Sequence, residues 1–338
     1  MTSDHDNGYV LALDVGGTGL KGALIGPDRR HVRYEERRPT RRAAGPDAVV
    51  EGVLRFAHEL YETGRDRYGA PPLAAGVIFP GIVDEERGTA VYAANLGWRD
   101  VPLRRLLSER LHGTAVRVGH DVRAGGLAEA RLGAGARAAG GRFFFVSLGT
   151  GIACAISTGD GRMETGAHGG AGELGHIVVR PGGERCGCGQ HGCLETLASA
   201  AAVTRAWAVA GGDPTATAAD AAHAVEAGDP AARAVWDTAV DALADGLLTG
   251  ISLLDPELVI IGGGLGEAGE TLLTPLRAAL TRKATFQRLP DLVPAALGDA
   301  AGSLGAGLLA WDAVTPAVTP AGSGALPHAP KGRSHDRH

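Results

Sequence analysis

His176, Cys186, Cys188 and Cys193 stand in the pattern H-x9-C-x-C-x4-C. Three thiolates and an imidazole make a Cys₃His set that suits tetrahedral Zn²⁺. A disulfide reading leaves one of the three clustered cysteines unpaired, and Cys186 and Cys188 are too close in sequence for an easy bridge. Zinc therefore stands ahead of free thiols. Four protein ligands imply a closed, structural site that orders its glycine-rich loop, a contribution on the order of 10 kcal/mol. Glu173 lies three residues before His176, and Glu195 two after Cys193. Two carboxylates held near one metal suit a ligand rich in hydroxyl donors, because each accepts one or two hydroxyl protons. The ring nitrogen of His176 not taken by the metal is free to do the same. As the plain alternative, either glutamate is a solvated loop residue.

Asp121 closes an apolar run ending at Val118 and opens an Ala/Leu helical pattern. At such a strand-to-helix junction it is either a helix N-cap or a carboxylate presented to a cleft. Two glycine turns give it company. The first runs Asp14-Val15-Gly16-Gly17-Thr18-Gly19 and continues through Lys21; the second is Gly149-Thr150-Gly151. A Rossmann fingerprint or P-loop needs a glycine loop that opens a helix, whereas both turns here sit between strands. Their backbone N–H groups can approach a phosphate closely, Thr18 adds a hydroxyl, and Asp14 can hold Mg²⁺ through water. The alternative is a pair of ordinary hairpins. Repetition of strand–turn–strand suggests a duplicated domain with a nucleotide between the halves. Gly262, Gly263 and Gly264 follow the apolar run 258–261 and either leave room for a flat ring such as adenine or form a plain strand-to-helix loop. Asn95, just before Leu96-Gly97-Trp98, reads as a turn residue on general grounds.

The elements that must position these residues follow from period. Strands are expected at 9–15, 20–25, 31–38, 73–79, 115–118, 142–148, 152–157 and 258–261. Helices are expected at 47–68, 101–111, 122–132, 194–210, 230–253 (one or two), 266–282 and 300–314. Residues 81–97 show no clear period and are expected to loop over the cleft; 168–193 form the metal loop. Cys154 reads as a buried small apolar residue. Beyond Thr315, Pro, Gly, Ser, His and Arg dominate with little apolar content, and 315–338 is expected to be a disordered tail.

A chain of 338 residues accommodates two domains. Lys plus Arg is 33 against Asp plus Glu at 38, a net charge of -5, with no basic stripe to fit a nucleic acid. No apolar run approaches the ~20 residues of a membrane span, and the acidic, polar N-terminus is no secretory signal. Four cysteines, three of them clustered, fit a metal site in the reducing cytoplasm.

The stretch from Asp14 to Lys21 resembles the first phosphate-binding motif of the ROK family (repressors, uncharacterised frames and sugar kinases). Gly172-Glu173-Leu174-Gly175-His176, followed by Cys186-Gly187-Cys188-Gly189-Gln190-His191-Gly192-Cys193-Leu194-Glu195, is similar to its zinc-containing consensus. The resemblance extends over about 10–314, towards the bacterial zinc-containing, ATP-dependent glucokinases. It implies the actin/hexokinase-like (ribonuclease H-like) fold: two α/β domains, each around a five-stranded mixed sheet, flanking a cleft. One domain would be 1–119 completed by the helix at 300–314, the other 120–299 with the zinc loop. Asp121 would be the base towards a sugar 6-hydroxyl, with Asn95, His120, Glu173, His176 and Glu195 on the sugar. Asp14, Gly16, Gly17, Thr18, Lys21, Gly149, Thr150 and Gly151 would face the phosphates of ATP and its Mg²⁺, and Gly262 to Gly264 the adenosine. A homodimer or homotetramer is expected. One departure stands out: the family's sugar kinases usually have Asn-Asp at the base, and this chain has His120-Asp121. The family's repressors carry an extra N-terminal helix-turn-helix, for which a first strand near Tyr9 leaves no room.

Overall fold

In the computed structural model, residues 8–314 are described apart from 212 and 214, so the expected tail lies outside the described residues. The first glycine turn joins β1 (Val10–Val15) to β2 (Gly19–Ile25) as an antiparallel hairpin that sets Asp14 opposite Lys21. β3 (Val32–Pro39) pairs with β2 and presents a charged, half-exposed edge, which guards an outer strand against further pairing. α1 (Pro46–Tyr68) starts with Pro in its first turn and ends on Gly69 in the left-handed region, burying Val49, Val53, Phe56 and Leu60. β4 (Ala75–Phe79) is buried along its whole length, as a strand covered on both faces must be.

The expected loop at 81–97 instead carries two strands of a small sheet. β5 (Ile82–Asp84), β6 (Thr89–Ala93) and β7 (Trp98–Val101) form an antiparallel, three-stranded sheet that buries Val83, Ala90, Ala93 and Trp98. Strands of three to five residues, separated by turns at Gly88 and Gly97, are too short to show a period. α2 (Leu103–Arg110) leads to β8 (Val116–His120), which runs two residues past its expected end and pairs parallel with β4, placing His120 beside Phe79. α3 (Asp121–Leu132) follows directly. The first sheet has five strands, as expected, in the order β3-β2-β1-β4-β8.

β9 (Phe143–Leu148) and β10 (Ile152–Ile156) repeat the hairpin, and Cys154 is buried in β10. The metal loop then leads to α4 (Glu195–Ala198) and α5 (Ala200–Val209). These split the expected helix because Ser199 is extended and caps α5 through the Ala202 N–H. α6 (Ala218–Glu226), unforeseen in its alanine-rich stretch, is announced by a Thr217/Asp220 capping box. α7 (Pro230–Leu254) is one continuous helix. β11 (Leu258–Gly262), α8 (Glu270–Lys283), β12 (Asp291–Pro294) and α9 (Ala301–Val314) complete the described chain. The second sheet has four strands, β10-β9-β11-β12, not five. Where β3 extends the first sheet, the chain after β10 makes only a single bridge, Ser157 to Met163, before entering the glycine-rich loop.

α9 returns to the first sheet, against β1, β2, β4 and β8, and packs along α3. The approach is close enough to demand glycine: a Cβ on Gly76 would lie 1.9 Å from the Ala306 carbonyl oxygen, and one on Gly305 2.2 Å from that of Ala124. α3 also touches β9 and β10, so it spans both sheets.

Candidate active site

A cavity of about 510 Å³ opens where strand ends of both sheets meet, lined by Asp14 of β1, Asp121 and Gly125 of α3, Ser147 of β9 and Gly262 to Gly264 at the end of β11. Gly263 has φ +78°, and a Cβ there would lie 2.6 Å from the Leu148 backbone, so this wall is closed to any side chain. Gly302 of α9 does the same for Asp14: its missing Cβ would stand 2.3 Å from Oδ2. Burial, and then the charge of Asp121, push the Asp14 carboxyl up to about 7, against the opposing pull of Lys21.

Asp121 is the first helical residue of α3, and the N-cap is His120. The cap reading of Asp121 is thus corrected by one position: the His120 ring supplies the acceptor that the sequence rule assigns to a carboxylate or amide. Its Nδ1 accepts from the N–H groups of Val122 at 3.2 Å and Arg123 at 3.4 Å. Burial, then the Arg123 charge, push the His120 imidazole down to about 4. The ring is therefore neutral at pH 7 with its proton on Nε2, which has no partner among the described residues. Asp121 Oδ1 accepts from the Val122 N–H at 2.7 Å, and Oδ2 accepts no hydrogen bond there. Burial raises the Asp121 carboxyl to about 6, opposed by the Val122 N–H and by Arg123.

The remaining expected residues fall into three places. Gly16, Gly17 and Thr18 form the β1–β2 turn, outside the cavity wall, with the Gly16 carbonyl accepting from Thr40 Oγ1 at 2.6 Å. Asn95, exposed on the β6–β7 turn, comes to this spot: a Cβ on Gly17 would sit 3.4 Å from its Cβ. Lys21 is buried, its ammonium donating to the Asp299 carbonyl at 2.5 Å and paired with the Asp299 carboxylate at 2.8 Å, so it braces the cavity rim. At the second turn, Gly149 donates to the Gly151 carbonyl. Thr150 tops this turn, and Glu195 Oε2 accepts from the Ile152 N–H at 2.9 Å. Glu195 thus ties the start of α4 to the second glycine turn.

His176 lies between the cysteines and Glu173. Its Nδ1 is 3.6 Å from Cys186 Sγ, and its Nε2 3.8 Å from Glu173 Oε2. Cys188 and Cys193 have their sulfurs 3.7 Å apart, and the four ligand atoms lie within 4.8 Å of one another. A tetrahedral zinc with Zn–S of about 2.3 Å and Zn–N of about 2.0–2.1 Å has edges of about 3.8 Å between sulfurs and about 3.6 Å between sulfur and nitrogen. The donor set fits that ion.

Residues 10–313 match the ROK family. The chain belongs to the ROK family. A glucokinase of Thermotoga maritima is 34% identical over 313 residues, 88% of this chain and 95% of that one. A solved ROK glucokinase from Streptomyces griseus, in complex with glucose and AMPPNP, superposes with a TM-score of 0.75 at 28% identity, covering 90% of this chain and all of that one. An N-acetylglucosamine repressor of Escherichia coli is 42% identical over 131 residues, 39% of this chain and 31% of that one. In this ROK protein the fold is the actin-like one the resemblance implied. Sequence reading missed Ser147, Asp299 and Gly302, single residues whose place at the cavity depends on contacts remote in the chain. It gave no weight to Arg123, although an arginine inside an Ala/Gly helix start was visible.

Proposed function

We propose that this ROK protein transfers the γ-phosphoryl group of ATP to a hydroxyl of a hexose, with glucose, giving glucose 6-phosphate, the first candidate. The observation that carries this is Asp121, at the head of α3, lining one cavity with Asp14 and Gly262 to Gly264. Phosphoryl transfer asks chiefly for alignment and charge neutralisation. With its carboxyl at about 6, Asp121 is largely ionised at neutral pH, and its unpartnered Oδ2 accepts the hydroxyl proton as the oxygen attacks. His120 presents a neutral Nε2–H donor to the same sugar. Glu173 and Glu195 accept from its other hydroxyls, His176 contributes Nε2, and Asn95 meets it from the β6–β7 turn.

Gly262 to Gly264 offer a wall without side chains to the adenine, and the two glycine turns offer N–H groups to the phosphates. A buried carboxyl whose affinity for positive charge is raised further by the charge of Asp121 suits a Mg²⁺ carried in with the nucleotide. Bound there, Mg²⁺ would neutralise phosphate charge, with Asp14 as its protein anchor. Zinc on His176, Cys186, Cys188 and Cys193 is structural and holds Glu173 and Glu195 in place. We divide the chain into 1–119 with α9, and 120–299.

ADP release from Mg-ATP across a hexose panel tests the proposal. Glucose-dependent turnover is expected; silence with every hexose while sugar binding persists would turn the reading to a regulator. The local 42% identity to an N-acetylglucosamine repressor favours one second reading, N-acetylglucosamine as the sugar. Turnover with that sugar alone would select it.

A further inference from the structure

Arg123 lies two residues beyond Asp121, and its side chain is only 5% exposed. A guanidinium buried to that degree persists only where its donors are answered. Here they are answered from two separate segments. Nε and Nη2 donate to Glu85 Oε1 at 3.2 and 3.1 Å, and Nη1 donates to the Gly169 carbonyl at 3.1 Å. Glu85 is itself fixed. It belongs to the β5–β6 turn, whose Glu85 and Glu86 carbonyls accept from Arg104 of α2 at 2.5 and 2.6 Å.

Gly169 begins a tightly held strap. It has φ +75°, and a Cβ there would lie 3.1 Å from the Val83 carbonyl of β5. Three residues on, Gly172 accepts from the Cys154 N–H at 2.8 Å, and a Cβ there would overlap the Cys154 carbonyl oxygen at 1.8 Å. The strap runs straight into Glu173. Glu85 and Glu173 are also the carboxylates whose charges His120 feels. The α3 start, the three-stranded sheet and the strap to Glu173 thus converge on one forked cation.

We propose that Arg123 is a positioning residue for the sugar, clamping the Glu173 strap to the β5–β6 turn so that Glu173 and Asp121 face one bound hexose. Lysine does not replace it, since a point charge lacks the rigid fork that answers Glu85 and Gly169 together. This rests on the sugar-kinase reading, so the test reads binding rather than turnover. In the full-length protein, glucose and AMPPNP are titrated separately by calorimetry into wild type, Arg123→Lys, Arg123→Gln and Glu85→Gln, with N-acetylglucosamine as the second sugar.

Both Arg123 variants are expected to lose about tenfold or more in sugar affinity while AMPPNP affinity stays within about twofold. Glu85→Gln, on an exposed turn with a neutral acceptor retained, is expected to lose less in the same direction, with an unliganded melting temperature like wild type. Unchanged sugar affinity in Arg123→Gln and Glu85→Gln would overturn the clamp. So would rescue by lysine, or parallel losses for sugar and nucleotide. Wild-type sugar binding without phosphorylation would instead sink the kinase reading and leave the clamp legible.

Discussion

Asp14 and Asp121 are two carboxylates in one cavity, and the fold makes both harder to ionise than in an unfolded chain. The sign of the pH dependence follows. Carboxyls at about 7 and about 6 in the folded chain lie above the ordinary 3.8, so folding takes up protons across that window. Their contribution to the stability of the unliganded protein is present at low pH and declines as pH rises through these values, while His120, held down at about 4, contributes in the opposite sense. Relative to wild type, the melting temperature of Asp14→Asn is expected to rise as pH goes from 4 to 8; a difference that stays constant with pH would contradict the raised Asp14 carboxyl. His120 is a cap first, and Asn is among the best caps. His120→Asn is therefore expected to melt within a few degrees of wild type while changing the ratio of activities between sugars. An unchanged ratio would place the ring away from the sugar. Asp121 and the Cys₃His set were legible in the sequence because their partners or spacing are local. Arg123 and Asp299 were not, because their roles depend on Glu85 and Gly169 for the one and on Lys21 and Arg37, both paired with its carboxylate, for the other, residues that only the folded chain brings near.

At the scale of elements, turns and caps carry the positioning. The buried Glu129 of α3 accepts from the Ala134 N–H at 2.7 Å and the Leu297 N–H at 2.8 Å, stapling α3 to the turn before α9. Glu129→Leu strips both N–H groups of their acceptor and is expected to cost about 2–4 kcal/mol in urea unfolding. An unchanged midpoint would mean that the turn is held otherwise. The metal loop makes a further demand. Chelation, or Cys188→Ser, is expected to weaken sugar binding through Glu173 and His176, and metal analysis of the purified protein to return one zinc per chain. A zinc-free protein would refute the clamp on this loop. Long elements such as α1 and α7 were legible because their periodicity runs for several turns. The β5–β7 sheet and α6 were not: strands of three to five residues and an alanine-rich helix show too little contrast between faces. Four strands in the second sheet follow from a glycine-rich loop that bridges once and then turns to the metal cluster.

Across the whole molecule, two sheets built on the same hairpin meet at α3, and α9 seals that helix against the first sheet. Asp121, the proposed base, stands at the head of α3, which touches both sheets, and lines one cavity with Gly262 to Gly264. Among the described residues no helix is long and apolar enough to cross a membrane. Asp121 is proposed to take the hydroxyl proton in phosphoryl transfer from ATP to a hexose. The most direct measurement of that step is ADP release from Mg-ATP with glucose or N-acetylglucosamine, compared between wild type and Asp121→Asn, with sugar affinity measured on the same samples. Loss of about 10²–10⁴ in turnover, with sugar affinity kept within several-fold, is the predicted result. Turnover by Asp121→Asn comparable to wild type would contradict it.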